Sequence, residues 1–313
     1  MSIYGSTSSE LTMRARLYFM LAFRNNSRSP NPVLVSVFDI LKARGVQVEI
    51  GIAEQMLLRP EELSVSHDLY ILKSHTDLWL SLAGVLHLQG ARLLNPYLSC
   101  IAAQNKIMTA RRLHAAGIPI PRSWVTGNLS LLNVVAARMP LVMKPFDGNR
   151  GNGVHIVNEP GELAGVPLPP RPVLVQEFVP SCREELKVAV IGTEVFATRQ
   201  HCGTNGTLPQ RIPCTVSAEV RRIALRCGEV CGLGLYGLDL IDGFDGPVVV
   251  DLNYFPSYKG VRDAAPLIAD YIETYACADV PAARRLGDVP AAKALEGVPA
   301  AKSPVEVGVT SRQ

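Results

Sequence analysis

The sequence predicts an α/β chain of several lobes, and three observations support that fold class. Short apolar strands alternate with helical patterns through the first hundred residues, which favours a parallel, Rossmann-like sheet. A lysine and a glycine-rich loop follow an apolar strand near the middle of the chain, and acidic residues mark two strands near residue 250. At 313 residues the chain is long enough for two or three lobes, each with its own core.

The first lobe is assigned to residues 1–104. Its first helix illustrates the pattern, because Pro32 stands near the start of the helical spacing and Gly45 just past its end. In this lobe the sequence predicts four strands, at 14–23, 46–52, 68–72 and 92–94. It also predicts two helices, at 33–43 and 78–88. A further helix, from Cys100 to Ala115, leads into the next lobe.

Two further lobes and a tail complete the predicted organisation. Residues 105–180 form a central lobe, and residues 181–280 form a last lobe with a hairpin that turns at Gly192-Thr193 and a helix from Ser217 to Leu233. Beyond residue 280, alanine, proline, lysine and glycine dominate, and few large apolar side chains remain to be buried. The segment 281–313 is therefore predicted to be a disordered tail.

Composition argues against several classes of partner. The net charge of +3 does not favour a nucleic-acid stripe or a membrane-surface patch. The first residues show no signal peptide, and the apolar run 17–23 is too short to cross a bilayer. Seven cysteines, an odd number, are scattered along the chain, which favours reduced thiols. We expect a cytoplasmic protein without nucleic-acid or membrane partners, and a homo-oligomer stays open.

Acidic and amide side chains mark two strands of the last lobe. Asp239 follows Gly237-Leu238, and Asp251 and Asn253 close the apolar run that begins at Pro247. Because side chains alternate along a strand, Asp251 and Asn253 lie on the same face. Carboxylate and amide oxygens suit Mg²⁺ that is held together with nucleotide phosphates. The sequence therefore predicts a metal site here, with solvated acids at a strand end as the alternative.

A lysine precedes a glycine-rich loop in the central lobe. Lys144 ends a short apolar strand, and Gly148, Gly151 and Gly153 follow it. Glycines let backbone N–H groups approach phosphate oxygens closely, and the lysine adds a positive charge. The lysine precedes the glycines, unlike in the Walker pattern, and no helix pattern follows as in a Rossmann fingerprint. We predict that Lys144, Gly151 and Gly153 contact phosphate.

Two more segments carry candidate residues. The segment Val173 to Pro180 reads as a buried strand stopped by proline, and the hairpin that follows places Lys187 and Arg199 on its two strands. After the hairpin, the polar stretch Thr204 to Arg211 is a candidate lid. At the end of the strand that begins at Val173, the candidate binding residues are Gln176, Glu177, Phe178 and Val179.

The order of these motifs resembles the ATP-grasp superfamily over about residues 95–275. The resemblance implies an ATP-grasp fold preceded by a parallel-sheet lobe, with ATP and Mg²⁺ (or Mn²⁺) as cofactors. The matching segments are Asn105-Lys106, Met143-Lys144-Pro145 with its glycine loop, Gln176-Glu177-Phe178-Val179, Lys187-Val188, Gly237-Leu238-Asp239 and Asp251-Leu252-Asn253.

The resemblance also implies roles for the nucleotide-binding residues. Lys106 joins Lys144 on the α and β phosphates. The main chain of Glu177 and Val179 binds the adenine edge, with Gln176 and Phe178 beside them. A glutamate of the pair Glu184-Glu185 accepts the ribose hydroxyls, and we prefer Glu184.

The remaining roles concern the transferred phosphoryl group and the acceptor. Lys187 and Arg199 face the γ-phosphoryl group, whose charge spreads over three oxygens in the transition state and is stabilised by fixed cations and Mg²⁺. Arg211 and Arg262 are candidates to hold an anionic acceptor. The two metal-site carboxylates, Asp239 and Asp251, and the amide of Asn253 complete the predicted site.

The resemblance leaves two activities open. We prefer a carboxylate–amine ligase of the glutamate-ligase type, which forms an amide through an acyl phosphate and releases ADP and phosphate from small-molecule acid and amine substrates. Such ligases usually carry glutamate where this chain has Asp251. The stretch from Asp251 to Val261 also resembles inositol trisphosphate 5/6-kinases, so a small-molecule kinase is the alternative.

Overall fold

The computed structural model describes residues 18–23, 31–145, 153–166, 173–180, 185–201 and 210–278. In this part of the chain, thirteen strands form three sheets. The strands are β1 Tyr18–Phe23, β2 Gln47–Ile52, β3 Leu69–Leu72, β4 Leu93–Leu94, β5 Ser123–Thr126, β6 Leu141–Pro145, β7 His155–Val157, β8 Val173–Glu177, β9 Glu185–Ile191, β10 Glu194–His201, β11 Gln210–Cys214, β12 Leu235–Gly243 and β13 Gly246–Tyr254.

Helices connect and cover these strands. The α-helices are α1 Pro32–Ala43, α2 Asp77–Leu88, α3 Tyr97–Gln104, α4 Lys106–Ala115, α5 Asn133–Ala136, α6 Ala218–Cys231 and α7 Ala264–Cys277. Short 3₁₀ helices cover Ala53–Gln55, Pro60–Glu62, Leu129–Leu132 and Pro160–Gly165. No helix of the described residues is both long and apolar enough to cross a membrane.

The first sheet has the parallel arrangement that the sequence predicts. Its order is β2-β1-β3-β4, and every neighbouring pair is parallel. Asn31 begins α1 by accepting the N–H of Val33 with its side chain, and Pro32 occupies the first turn, where its missing N–H costs no helical hydrogen bond. Leu34, Val37 and Leu41 of that helix are buried, as the apolar spacing requires.

The single helix predicted from Cys100 to Ala115 is wrong, because the chain breaks at Asn105. This residue is extended, with φ −91° and ψ 104°. Its side-chain oxygen accepts the N–H groups of Ile107 and Met108, which would otherwise lack partners at the start of a helix. The capping asparagine therefore ends α3 and begins α4, and it places Lys106 at the first position of the second helix.

The other two sheets are antiparallel. The larger has the order β11-β10-β9-β12-β13, and the smaller has the order β5-β8-β6-β7. The strand β11 begins at Gln210, inside the polar stretch that the sequence analysis named as a candidate lid. Arg211 therefore lies on a strand, opposite Gln200. The predicted hairpin turn at Gly192-Thr193 is present between β9 and β10.

The buried apolar residues divide into two clusters. The larger runs without interruption from the parallel sheet and its helices into β9, β10, β12, β13, α6 and α7, and we call this unit the main body. The smaller contains only residues between 129 and 175, around the sheet β5-β8-β6-β7. The name central lobe is used from here on for this unit, whereas Leu113 and Ile118, which lie within the predicted lobe 105–180, belong to the main body. Apolar burial is the main favourable term in folding, so each unit is stabilised largely by its own core.

Two arginines add polar links within the main body. Arg44, at the end of α1, forms ion pairs with Asp270 at 2.7 Å and with Glu273, both on α7. Arg92 donates to the carbonyl oxygens of Ala276 at 2.7 Å and Ala278 at 2.5 Å, which lie at the end of that helix. A helix end leaves carbonyls without intrahelical partners, so Arg92 stabilises this end of α7.

Several expectations fall outside the described residues. These are the start of the first strand at 14–17, the polar segment 1–10, most of the candidate lid and the tail 281–313. Of the cysteines that the structure describes, Cys100, Cys214, Cys227, Cys231 and Cys277 are all free thiols.

Candidate active site

One face of the sheet β11-β10-β9-β12-β13 carries most of the predicted site. In the strand register Asp239 is opposite both Asp251 and Lys187, so these three side chains share a face. Residues of the other parity, Leu238 and Leu252 among them, are buried against the helices. Alternation along each strand thus separates a helix-covered face from an open face that presents charged side chains.

The carboxylates of the open face form ion pairs with lysines. Lys106, on the first turn of α4, forms an ion pair with Asp251, and its side chain is only 13 % exposed. The Asn253 amide donates to the other oxygen of Asp251 at 3.2 Å. Lys187 lies 2.7 Å from a carboxylate oxygen of Asp239 and 2.7 Å from one of Glu185. Two lysines and three carboxylates therefore meet on one sheet face.

Burial and charge shift the pKa values of this cluster. Burial raises the pKa of Asp239 to about 6, although the ammonium of Lys187 opposes that rise. Burial alone would lower the pKa of Lys187, but the carboxylates of Asp239 and Glu185 outweigh it, so the pKa is raised. The negative charges of Glu185 and Asp251 also raise the pKa of Asp239. A further cation beside these carboxylates would reduce their mutual repulsion and favour their ionised forms.

The donor set of this face fits a magnesium ion that is bound together with phosphates. Asp239, Asp251 and Asn253 present carboxylate and amide oxygens, the ligands that Mg²⁺ prefers. In the part of the chain that the structure describes, no group of three or more histidine, cysteine, aspartate or glutamate side chains is placed to hold a metal unaided. Mg²⁺ sites of few carboxylates are ordinarily completed by substrate phosphates and water, so the residues fit that kind of site.

Lys144 connects the central lobe to this face. Its ammonium donates to the side-chain oxygen of Gln176 at 2.8 Å and to the main-chain oxygen of Val250 at 2.9 Å. The register of β12 and β13 shifts after Asp239, which leaves Val250 as an extra residue. A β-bulge redirects main-chain groups out of the ladder, and here the carbonyl of Val250 accepts the lysine. Burial lowers the pKa of Lys144, while Asp251 opposes that shift.

A narrow cleft lies between the central lobe and the main body. Residues of both units line it, among them Lys106, Leu174, Gln176, Val250 and Asp251. A site between two units that contribute different side chains is typical of ligand-binding clefts.

The sequence analysis gave no role to two apolar residues on the sheet face that carries Lys144. Val142 and Ile156 lie on the same face of the central sheet as Lys144 and Gln176, and Ile156 is 54 % exposed. Their neighbours Leu141 and Met143 point into the small core instead. The alternation in residues 141–145 would have placed Val142 beside Lys144, but a single short apolar strand gave no reason to assign it to a ligand.

The strand end predicted to bind adenine lies between the two units. The Glu177 N–H donates to the Arg122 carbonyl at 2.9 Å, and the Glu177 carboxylate binds the Arg122 side chain at 2.5 Å. The Phe178 N–H donates to Pro140. Val179 is close to Gly243, at the end of β12. The N–H groups of Glu177 and Phe178 are therefore already bonded to the protein.

The structure does not bring every predicted residue together. Arg199 lies opposite Leu186 on the helix-covered face, 3.8 Å from Asp242, and not on the face of Lys187. Arg211 is on the open face beside Gln200, at 3.4 Å. Gly153 is described, with φ 74°, whereas Gly151 and Glu184 lie outside the described residues. Glu185, to which we preferred Glu184, is the described member of that pair and contacts Lys187.

Comparison with known proteins agrees with this geometry. Residues 103–273 match the model of the RimK-like ATP-grasp domain. A probable alpha-L-glutamate ligase of Haemophilus influenzae is 28 % identical over 209 residues, which are 60 % of this chain and 68 % of that protein.

Solved structures show the same fold. A RimK domain ATP-grasp protein from Sphaerobacter thermophilus superposes with a TM-score of 0.68 at 20 % identity, over 81 % of this chain and 98 % of that one. A D-alanine–D-alanine ligase from Bacillus anthracis, complexed with ATP, superposes with a TM-score of 0.66 at 16 % identity, over 83 % and 97 %. The matched family and the glutamate-ligase relative agree with ATP-dependent ligation and give no support to the kinase alternative. The chain belongs to the RimK-like ATP-grasp family.

Proposed function

We propose that this chain joins a carboxylic acid to an amine at the cleft between the central lobe and the main body, using ATP and Mg²⁺. The observation that carries the proposal is the convergence of Lys106, Lys144 and Lys187 with Asp239 and Asp251. Three cations suit a triphosphate, and two carboxylates suit its metal. The lysines come from α4, the central sheet and β9, so a nucleotide that contacts all three spans both units.

The lysines have carboxylate or carbonyl partners that phosphate can replace. Lys106 pairs with Asp251, and Lys187 pairs with Asp239 and Glu185. When bound, Mg²⁺ would supply positive charge to these carboxylates and to the phosphates. The lysines would then be available to phosphate oxygens, with Lys106 and Lys144 on the α and β groups and Lys187 on the γ group. Mn²⁺ could take the same ligands.

The apolar face of the central sheet next to the cleft suits the adenine base. Val142 and Ile156 lie on that face, near the strand end at Glu177 and Val179. A purine ring would stack on that surface with its edge at the main chain. Glu184 or Glu185 would accept the ribose hydroxyls, as the sequence order implies.

The chemistry proceeds in two balanced steps. An oxygen of the substrate carboxylate attacks the γ-phosphorus of ATP, the bond from that phosphorus to the β–γ bridging oxygen breaks, and ADP leaves with the electron pair. The amine nitrogen then attacks the acyl carbon, the bond from carbon to the phosphate oxygen breaks, and phosphate leaves with the proton that the nitrogen loses. Fixed cations stabilise the charge of the transferred group, and a site closed to water protects the acyl phosphate from hydrolysis.

The names of the relatives suggest substrates with which to begin. L-Glutamate is the first amine to test, because the curated relative is named a glutamate ligase.

Hydroxylamine trapping tests the proposal. An acyl phosphate is an activated acid, so hydroxylamine intercepts it to give a hydroxamate, whereas a phosphate ester does not react. With ATP, Mg²⁺, hydroxylamine and a panel of carboxylic acids, we expect acid-dependent hydroxamate together with ADP. Lys144→Met should suppress both products, because it removes a cation from the phosphates. Lys42→Met, which removes an exposed lysine at the end of α1, should leave them unchanged.

Two results would contradict the proposal, the first its ligase activity and the second its site. One is accumulation of ADP with a phosphorylated alcohol and no hydroxamate. The other is hydroxamate formation at the normal rate by the Lys144→Met variant, because the cleft described above would then not be the place of the reaction.

A further inference from the structure

The segment Phe255–Asp263, which we call the strap, follows the metal-site strand β13 and crosses the open face of the sheet. Pro256 lies over β12, since a Cβ on Gly237 would meet the Pro256 ring at 3.2 Å. Gly260 lies over β10, since a Cβ on Gly260 would meet the Thr198 methyl group at 3.2 Å. The strap thus passes from β13 across the sheet and lies on its open face at both points.

This path places the strap beside the reacting end of the proposed nucleotide. Gly237, under Pro256, is two residues before Asp239 on the same face. Thr198, under Gly260, is directly opposite Lys187. The strap is therefore a wall of the space next to Lys187 and Asp239, where the γ-phosphoryl group would lie. An acceptor that takes this group must occupy that space.

Contacts from other elements hold the strap in place. Lys73, at the end of β3, donates to the Phe255 carbonyl at 2.6 Å. Asn31 donates to the Ser257 carbonyl at 2.9 Å, and the buried Tyr258 hydroxyl donates to the Val190 carbonyl at 3.0 Å. A segment fixed at three places loses little conformational entropy on binding, so it can orient a substrate.

The strap also keeps three non-glycine residues in left-handed backbone conformations. The φ values are 41° at Phe255, 52° at Tyr258 and 54° at Asp263. Such conformations cost free energy that surrounding contacts must offset, and they occur often at ligand-binding sites. Two basic residues of the strap, Lys259 and Arg262, are exposed.

Three basic side chains lie on or beside this wall, and Asp263 is the one acid of the strap. Lys259 and Arg262 are exposed, and Arg211 approaches the strap, because a Cβ on Gly260 would lie 3.5 Å from its Cβ. Among the described residues, no carboxylate forms an ion pair with any of these three side chains. The lysines of the nucleotide site, in contrast, all have carboxylate or carbonyl partners. An excess of cations over carboxylates beside a reaction centre favours an anionic ligand.

We propose that the strap selects an acid substrate that carries at least one anionic group besides the carboxylate that is activated, and that Lys259 and Arg262 bind this second group. The inference rests on the proposed function, since it concerns the acceptor of the same reaction. Arg211 lies on the open face next to Gly260 of the strap, and in this proposal it contacts the carboxylate that reacts.

Matched pairs of acids test this selectivity. Succinate and succinamate, or glutarate and glutaramate, have nearly the same shape but differ by one charge. With hydroxylamine as the amine, we expect a diacid to give a higher kcat/KM for hydroxamate than its monoamide. The double variant Lys259→Ala/Arg262→Ala should raise KM for the diacid about tenfold or more, because charged hydrogen bonds are lost. Its KM for ATP and its rate with the monoamide should not change.

A charge-matched control and a binding measurement complete the experiment. Arg138→Ala/Arg222→Ala removes two exposed arginines far along the chain from the strap and should leave all constants unchanged. Calorimetry of tricarballylate, a tricarboxylate, with a non-hydrolysable ATP analogue and Mg²⁺ measures binding without turnover. We expect the unmodified protein to bind it and the Lys259→Ala/Arg262→Ala variant to bind it about tenfold more weakly.

The outcomes separate this inference from the proposed function. Equal use of diacids and monoamides, or equal effects of the strap variant on both, would overturn the strap inference and leave the ligase intact. An effect on KM for ATP would assign the two cations to the nucleotide instead. If no acid gives hydroxamate, the proposed function fails, and tricarballylate binding then decides on the strap alone, with no binding by the unmodified protein counting against it.

Discussion

The main body and the central lobe differ in how each is stabilised. The main body has one continuous core from the parallel sheet to α7. Ion pairs of Arg44 connect α1, near the start of this unit in the sequence, with α7 at its end. The central lobe depends on a small core around a four-stranded sheet. The bond from the Lys144 ammonium to the Val250 carbonyl is a polar contact between the two units.

This difference assigns separate tasks to the two units. The main body supplies the carboxylates, Lys106, Lys187 and the strap, so the groups that must be held most precisely belong to the larger core. The central lobe supplies Lys144, Gln176 and the apolar surface of Val142. A ligand that binds between the two units couples them. Substitutions in one unit at a time can therefore separate what each unit contributes to binding and stability.

The largest effect is expected at the metal site of the main body. Asp251→Ala removes a carboxylate about 4 Å from a divalent ion, which is worth roughly 4 kcal/mol per unit charge at an effective dielectric near 20. Turnover should fall by about three orders of magnitude, while ATP binding measured without Mg²⁺ is retained. Asp245→Ala, an exposed carboxylate in the β12–β13 turn, should leave turnover unchanged. Near-normal activity of the Asp251 variant would remove this aspartate from the metal site.

Core substitutions should affect the two units separately. Ile71 is fully buried in the main body, and Met143 is almost fully buried in the central lobe. Each change to alanine should cost about 2–5 kcal/mol in its own unit. Hydrogen exchange should speed up in β12 for Ile71→Ala, and in β6 and β8 for Met143→Ala. If Met143→Ala also accelerated exchange in β12 by as much, the two cores would act as one.

The next effect concerns the contact between the units. Lys144→Met should weaken binding of an ATP analogue about tenfold to a hundredfold, since a charged hydrogen bond is worth about 1.5–3 kcal/mol. The melting temperature should change little, because burial already disfavours this ammonium and lowers its pKa. Calorimetry and thermal unfolding measure the two quantities. Unchanged affinity for the analogue would show that Lys144 does not contact phosphate.

The smallest effect is expected beyond α7. A chain that ends at residue 280 keeps Ala276 and Ala278, whose carbonyls accept from Arg92, and lacks only residues that offer little to bury. Its melting temperature should equal that of the full chain. A clear decrease would show that the tail packs on the main body.

The sequence predicted the architecture well where pattern and chemistry are local. The parallel sheet follows from strands that alternate with helices, and the shared face of Asp251 and Asn253 follows from side chains that alternate along a strand. The structure has both. The break at Asn105 was missed because a polar residue inside a helical pattern is also compatible with one continuous helix. Only the structure shows that its side chain caps the start of α4.

Other features depend on contacts that no local pattern reveals. Arg199 alternates onto the helix-covered face, and the sequence alone does not say which parity of the hairpin is open. The Val250 carbonyl binds Lys144 only because a bulge turns it outward. The strap is positioned by residues as distant in sequence as Asn31 and Lys73, so its relation to Lys187 needed the tertiary structure.

One measurement tests the central claim, that the nucleotide binds between the two units. Hydrogen exchange should be followed by mass spectrometry with and without a non-hydrolysable ATP analogue and Mg²⁺. We predict slower exchange in β6 and β8 of the central lobe and, at the same analogue concentration, in β12 and β13 of the main body. The edge strand β2 should not change. Protection confined to one unit, with the other unaffected at saturation, would contradict the account.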